Sequence, residues 1–147
     1  MLKPYTWDMG ESVLLSIEDS DTEFYLIEMA VKKANLPIRL HRVEDGEQGL
    51  AFLQRWAPYQ DAPRPDLIML NLNLPRKNGF EVLADLQGIE SLRSIPVIVF
   101  TSSSHPAEKD RALALGAQDY VVKPPTLDAL VDAVTTICSR VRGSETA

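Results

Sequence analysis

Asp66-Leu67-Ile68-Met69-Leu70-Asn71-Leu72-Asn73-Leu74-Pro75 decides the fold of this 147-residue chain. The apolar run Leu67 to Leu70, closed by a polar residue and then a proline, has the pattern of a strand buried on both faces that opens into a loop. In open parallel α/β sheets ligands gather at the carboxyl ends of the strands, which puts Asn71 at the centre of any chemistry the chain carries.

Working outward, four more short apolar runs share this character. Val13-Leu14-Leu15-Ser16-Ile17 is the first strand, closed by Glu18-Asp19. Ser20 and Glu23 have the spacing of a capping box ahead of the helical stripe Phe24, Ile27, Val31 and Ala34. Ile38 to Val43 is the second strand, marked as an edge by Arg39 and Arg42. Gly46 to Trp56 is a second helix with Leu50, Leu53 and Trp56 on one packed side. Ala57 to Pro65 contains three prolines and is a surface excursion. After the central strand, Asn78-Gly79 is a turn by composition and Phe80, Leu83 and Leu86 line a third helix. Val97 to Phe100 is the fourth strand, ending at Thr101, and Pro106 opens a fourth helix that stops at Gly116. Tyr120-Val121-Val122 is the fifth strand, broken by Lys123-Pro124-Pro125. Thr126 caps a last helix whose buried side is Leu127, Leu130, Val134, Ile137 and Val141.

Strands that alternate with helices, without tight hairpin turns, require right-handed parallel crossovers. The predicted fold is therefore α/β, a doubly wound five-stranded parallel sheet, and the simplest strand order is 2-1-3-4-5, flavodoxin-like (βα)5. The domain boundaries are an arm over 1–11, one globular domain over 12–142 and a frayed tail over 143–147. In that strand order Glu18, Asp19 and Asn71 share the switch-point crevice, and Thr101 and Lys123 reach it from the next two strands. Two carboxylates with an amide or backbone oxygen make a hard-oxygen site suited to Mg2+, and a lysine with a hydroxyl opposite suits a phosphoryl group.

Composition narrows the function classes. A formal net charge of −6 argues against a general nucleic-acid or membrane-surface binder, since both partners are anionic. The single cysteine, Cys138, the lack of a signal-peptide pattern and the lack of an apolar run near the roughly 18 residues of a membrane span point to a cytoplasmic protein. Cys138 falls on the apolar side of the last helix as a small buried hydrophobe. His41 and His105 stand alone, without the acidic or cysteine partners of a transition-metal site. A flavodoxin-like cofactor binder is a weaker alternative, because Glu18-Asp19-Ser20-Asp21-Thr22-Glu23 would repel a flavin phosphate. A hydrolase is weaker still, since no nucleophile has a recognisable base partner.

Val13-Leu14-Leu15-Ser16-Ile17-Glu18-Asp19, the stretch Arg64 to Gly79, Ile95 to Ser103 and Gly116 to Pro124 together resemble a response-regulator receiver domain over Ser12 to Arg140. Within that family the chain is most similar to the single-domain regulators paired with phytochrome histidine kinases. The resemblance implies a non-enzymatic phosphorelay receiver whose partner is a phytochrome-type histidine kinase. It implies Mg2+ held by Glu18, Asp19, Asn71 and the backbone carbonyl of Asn73. Thr101 and Lys123 would contact the phosphoryl group, Tyr120 would be an aromatic switch coupled to Thr101, and the Lys123–Pro124 bond would be cis.

The phosphoacceptor position falls on Asn71, where receivers carry aspartate. An amide is no nucleophile towards phosphorus, so phosphotransfer is disabled in this form and Mg2+ binding is weakened. Three accounts of Asn71 stand: a natural loss leaving a pseudo-receiver that acts by binding, an engineered substitution, or takeover by another residue. Ala129 and Ala133, off the main stripe of the last helix, suggest a homodimer through the fourth helix, fifth strand and fifth helix.

Overall fold

Each apolar run forms a strand in the computed structural model, which describes residues 11–146 and side chains as far as Arg140. In chain order the elements are β1 (Ser12–Ile17), α1 (Asp21–Lys33), β2 (Ile38–Val43), α2 (Gly46–Gln54), β3 (Leu67–Leu70), α3 (Gly79–Gln87), β4 (Val97–Thr101), α4 (Pro106–Ala114), β5 (Asp119–Val122) and α5 (Leu127–Thr146). All pairings are parallel and the sheet order is β2-β1-β3-β4-β5, the flavodoxin-like arrangement expected. The arm over 1–11 lies outside the described residues except for Glu11. The backbone of α5 continues to Thr146, past the boundary set at Arg142.

Alternation along the strands builds two cores. Leu14, Leu67, Met69, Ile98 and Phe100 face α1 and α5, where they meet Ile27, Val31, Leu130, Val134, Ile137 and Cys138. Leu15, Ile17, Ile68, Leu70, Val97 and Val99 face the other way and pack on α2, α3 and α4 through Leu50, Phe52, Phe80, Leu83 and Ala112. β3 is buried along its whole length, as its unbroken apolar run requires. Burial of each such side chain stabilises the fold by roughly 1.5–3 kcal/mol, so both faces of the sheet are strongly held and its upper rim is a rigid platform.

Three local expectations are corrected. α2 ends at Gln54 because Arg55 turns left-handed, with φ 58°, and this swings Trp56 off the packed side. Trp56 is 58% exposed and does not pack in the core. Asn78-Gly79 is more than a turn. Asn78 caps α3 in a complete capping box with Glu81, and Gly79 begins the helix against the backbone of Asn71 and Leu72. Finally, the cis peptide among the described residues is Ala57–Pro58, and Lys123–Pro124 is trans. Trans is the lower-energy form of an X–Pro bond by about 0.5–1 kcal/mol. Here the Lys123 backbone N–H is also held by the Thr101 carbonyl at 2.7 Å.

Candidate functional site

The carboxyl ends of β1, β3, β4 and β5 meet at one rim because these strands are neighbours running in one direction. Glu18 leaves β1 with its N–H on the Val43 carbonyl at 3.0 Å, and Asn71 leaves β3 with its N–H on the Ile17 carbonyl at 3.1 Å. These two backbone bonds set the acidic residue and the amide side by side. Asn71 Nδ2 donates to Glu18 Oε2 and to Asp19 Oδ1, at 3.3 Å in each case. Lys123, at the end of β5, donates from Nζ to Glu18 Oε1 at 2.8 Å and also to Glu23 Oε1. Four of the residues singled out in the sequence, Glu18, Asp19, Asn71 and Lys123, are thus in direct contact.

Burial divides the acidic pair. Glu18 is 1% exposed, whereas Asp19 faces solvent. Burial pushes the Glu18 carboxyl above its ordinary value, against the opposing pull of the Lys123 ammonium and the Ser20 backbone N–H. A buried carboxylate is tolerated only when its lone pairs are met, and here Lys123, Asn71 and Ser20 N, at 3.1 Å, meet them.

Thr101 stands behind this contact group. It is fully buried, and its Oγ1 accepts from Ser103 N at 3.2 Å. Tyr120 is buried too, with its hydroxyl donating to the Ser103 carbonyl at 2.8 Å. Thr101 and Tyr120 therefore share Ser103 as a go-between and have no hydrogen bond to one another. Asn73 is exposed on the loop after β3, and the described contacts do not join it to the acidic pair.

Several supporting residues escaped sequence reasoning. Arg42 donates from Nε to the Glu18 carbonyl at 3.0 Å and from Nη1 to Asp21 at 2.8 Å, and its guanidinium lies 5.1 Å from the Phe24 ring centroid. Its Nη2 is buried without a hydrogen-bond partner. Asp45 is 2% exposed, caps α2 through Gln48 N at 2.8 Å, and takes Arg76 Nη1 at 3.1 Å, which ties the loop after β2 to the loop after β3. The capping box at Ser20 is only half closed. Ser20 Oγ accepts from Glu23 N at 3.2 Å, but the Glu23 carboxylate turns to Lys123.

The donor set suits one kind of metal. Among the described residues there is no group of three or more Asp, Glu, His and Cys side chains able to hold an ion. Two carboxylates converge on a single point, now taken by the Asn71 amide, and one of them faces water. That is a fit for magnesium, which uses one or two carboxylates and keeps several of its waters.

Residues 14–135 match the response regulator receiver domain family. The chain is 36% identical over 125 residues to response regulator Rcp1 of Synechocystis sp., covering 85% of each sequence. The crystal structure of the Mn2+-bound form of Rcp1 aligns with a TM-score of 0.79, over 86% of this chain and 91% of that one, at 36% identity. That of the phosphorylated cyanobacterial phytochrome response regulator RcpA aligns with a TM-score of 0.81 at 33% identity, over 86% and 91%. The response regulator RPA3017, from red light signalling in R. palustris, gives 0.79 at 30% identity, over 86% and 90%. Among the described residues no helix is long and apolar enough to cross a membrane.

Proposed function

The chain belongs to the response regulator receiver domain family, and from that premise we propose that it is a phosphorelay receiver whose phosphotransfer is disabled by Asn71. Family membership makes it a signalling domain and not an enzyme. Its relatives include phytochrome response regulators, so the partner we propose is a histidine kinase of the phytochrome type.

One observation carries the reading: the amide nitrogen of Asn71 donates to both members of the acidic pair at 3.3 Å. The amide sits where a nucleophilic carboxylate would be needed, and it supplies the positive end of a dipole where a cation would otherwise be required. Glu18, Asp19, Asn71 and the Asn73 carbonyl are the proposed magnesium ligands, and the bound ion would neutralise charge on a phosphoryl group. Lys123 supplies a second positive charge and Thr101 a hydroxyl donor. Tyr120 is the proposed switch, acting on Thr101 through Ser103. Pairing of two copies through α4, β5 and α5 is part of the proposal, supported by the exposed side chains of Leu113 and Val122. Sedimentation at the monomer mass at micromolar concentration would count against that pairing.

Acetyl phosphate tests the central claim. The unchanged protein, with magnesium, takes up no phosphoryl group. In Asn71→Asp a carboxylate oxygen attacks phosphorus, the bond from phosphorus to the acetate oxygen breaks, and acetate leaves, so the intact mass rises by about 80 Da. Alkaline hydroxylamine then removes that mass. Phosphorylation of the unchanged protein would refute the role given to Asn71. A folded, magnesium-bound Asn71→Asp that stays unmodified would favour a pseudo-receiver that acts by binding alone.

A further inference from the structure

The position of Glu23 has a consequence beyond helix capping. Ser20 and Glu23 have the capping-box spacing, yet only half of the box is made: Ser20 Oγ accepts from Glu23 N, while Ser20 N donates to Glu18 Oε2 at 3.1 Å. The Glu23 carboxylate goes to Lys123 Nζ, which Glu18 Oε1 also holds at 2.8 Å. Lys123 is therefore clamped between two carboxylates with its side chain 11% exposed, and the outer one, Glu23, is 43% exposed and able to move. Glu23 and Lys123 also line one cavity of about 290 Å³ with Leu26, Phe100 and Pro124, so the carboxylate has room to leave.

Glu18 and Glu23 thus compete for the same two donors. If Glu18 turns to a cation, it gives up Ser20 N, an otherwise unmet helix N-terminal donor. The group placed three residues on to satisfy that donor is the Glu23 carboxylate. We propose that Glu23 is a positioning residue that holds Lys123 away from an incoming phosphoryl group until a cation takes Glu18. Glu23 then returns to Ser20 N and releases the ammonium. This rests on the receiver reading, because it assigns the freed Lys123 to the phosphoryl site.

The test uses two variants that differ in what they keep. Glu23→Gln can still accept from Ser20 N but carries no charge for Lys123. Glu23→Asp keeps the charge on a side chain one methylene shorter, which weakens its grip on Lys123. In an Asn71→Asp background with magnesium well below saturation, both variants should bind beryllofluoride, a tetrahedral phosphoryl mimic, about two- to fivefold more tightly than the background alone, and the difference should vanish at saturating magnesium. Tightening by Glu23→Gln only would mean a simple field effect, and no tightening by either would mean no latch; both outcomes overturn the proposal. If the Asn71→Asp background binds no beryllofluoride at all, the receiver reading fails, and the latch is still decided on the unmodified chain by nitrogen NMR of the Lys123 ammonium. Faster proton exchange in both variants supports it, and unchanged exchange overturns it. Magnesium added to the unmodified chain should shift the Ser20 amide and the Glu23 carboxyl together, and a Ser20 shift without a Glu23 shift overturns the coupling.

Discussion

Replacing Asn71 with aspartate puts a third carboxylate beside two others, and the cost should be measurable without any phosphoryl chemistry. The amide loses two hydrogen bonds, each long at 3.3 Å, worth about 1 kcal/mol together. In their place come two like-charge contacts. At about 4 Å, two unit charges repel by about 4 kcal/mol at an effective dielectric of 20 and about 1 kcal/mol in water. Glu18, buried, lies toward the first limit, and Asp19, exposed, toward the second. Lys123, 2.8 Å from Glu18, attracts the new carboxylate by a comparable amount and cancels most of the buried repulsion. A net destabilisation of about 2 kcal/mol follows, or a fall in Tm of about 4–8 °C for a domain of this size.

The sign with pH is set by Glu18, whose carboxyl burial already pushes above 4.5. A folded-state pKa above the unfolded one means the folded chain binds the proton more tightly. The penalty is then absent below the unfolded value and grows as pH rises through the window between the two. Urea unfolding in EDTA, near pH 5 and near pH 7.5, should show the gap between parent and variant widening at the higher pH. Magnesium should close it, because the variant binds the ion more tightly and an ion at a hundred times its Kd adds about 2.7 kcal/mol. An Asn71→Asp protein as stable as its parent in EDTA at the higher pH, or equal magnesium stabilisation of both, would refute the reasoning.

Three further perturbations probe the supports of the site. Gly79→Ala puts a methyl 2.6 Å from the Asn71 carbonyl and 2.8 Å from Leu72 Cα, both backbone, so α3 must shift; a loss of about 1–3 kcal/mol in chemical denaturation is expected, with weaker magnesium binding in calorimetry. At Asp119, burial pushes the carboxyl up, but the Tyr120 N–H and Arg140 outweigh it and hold the group below 3.8. Its contribution is present above that value and lost as pH falls through the folded one; Asp119→Asn should cost a few tenths of a kcal/mol at neutral pH after solvent screening, with the difference from the parent vanishing in acid. Burial raises the Cys138 thiol to about 11, so iodoacetamide should label it only at the rate of unfolding, and rapid labelling of the native chain would show that α5 opens locally.

The fold was legible because each element of the sheet carries its own signal. Leu67 to Leu70 is apolar at every position, and a strand buried on both faces has no other pattern. Right-handed crossovers narrowed the possible strand orders, and 2-1-3-4-5 is the simplest of those that remain. Trp56 was misread because helical periodicity continues past Gln54, while the chain does not: the left-handed turn at Arg55 is held by hydrogen bonds from the Arg55 N–H to Phe52 and from Arg55 Nε to Ala62, a loop residue whose position no local pattern reports. Lys123–Pro124 was misread for a different reason. Cis and trans differ by only about 0.5–1 kcal/mol at an X–Pro bond, and no pattern in the sequence around Lys123-Pro124 separates them.

For the site, sequence reasoning found the groups at strand ends and missed those that reach them sideways. Glu18, Asp19 and Asn71 follow the adjacent strands β1 and β3, and Lys123 follows β5, two strands further along the same rim, so parallel topology brings them to one edge and the long Lys123 side chain closes the gap. Arg42 reads as an edge-strand cation, yet it grips the Glu18 carbonyl across the β1–β2 pair. Glu23 reads as a helix cap, yet it crosses to a lysine a hundred residues away. Both are recruited because Glu18 is buried and charged: a carboxylate at 1% exposure must collect donors, and those donors must in turn be held. Asn71 belongs to the same economy of charge. Its amide gives the acidic pair two N–H contacts where a carboxylate would demand a cation. On the proposed reading, the surrounding site keeps its arrangement while residue 71 lacks the nucleophilic oxygen. In that proposal the identity of residue 71 decides the chemistry, and the ring of donors around Glu18 decides whether the site stays formed.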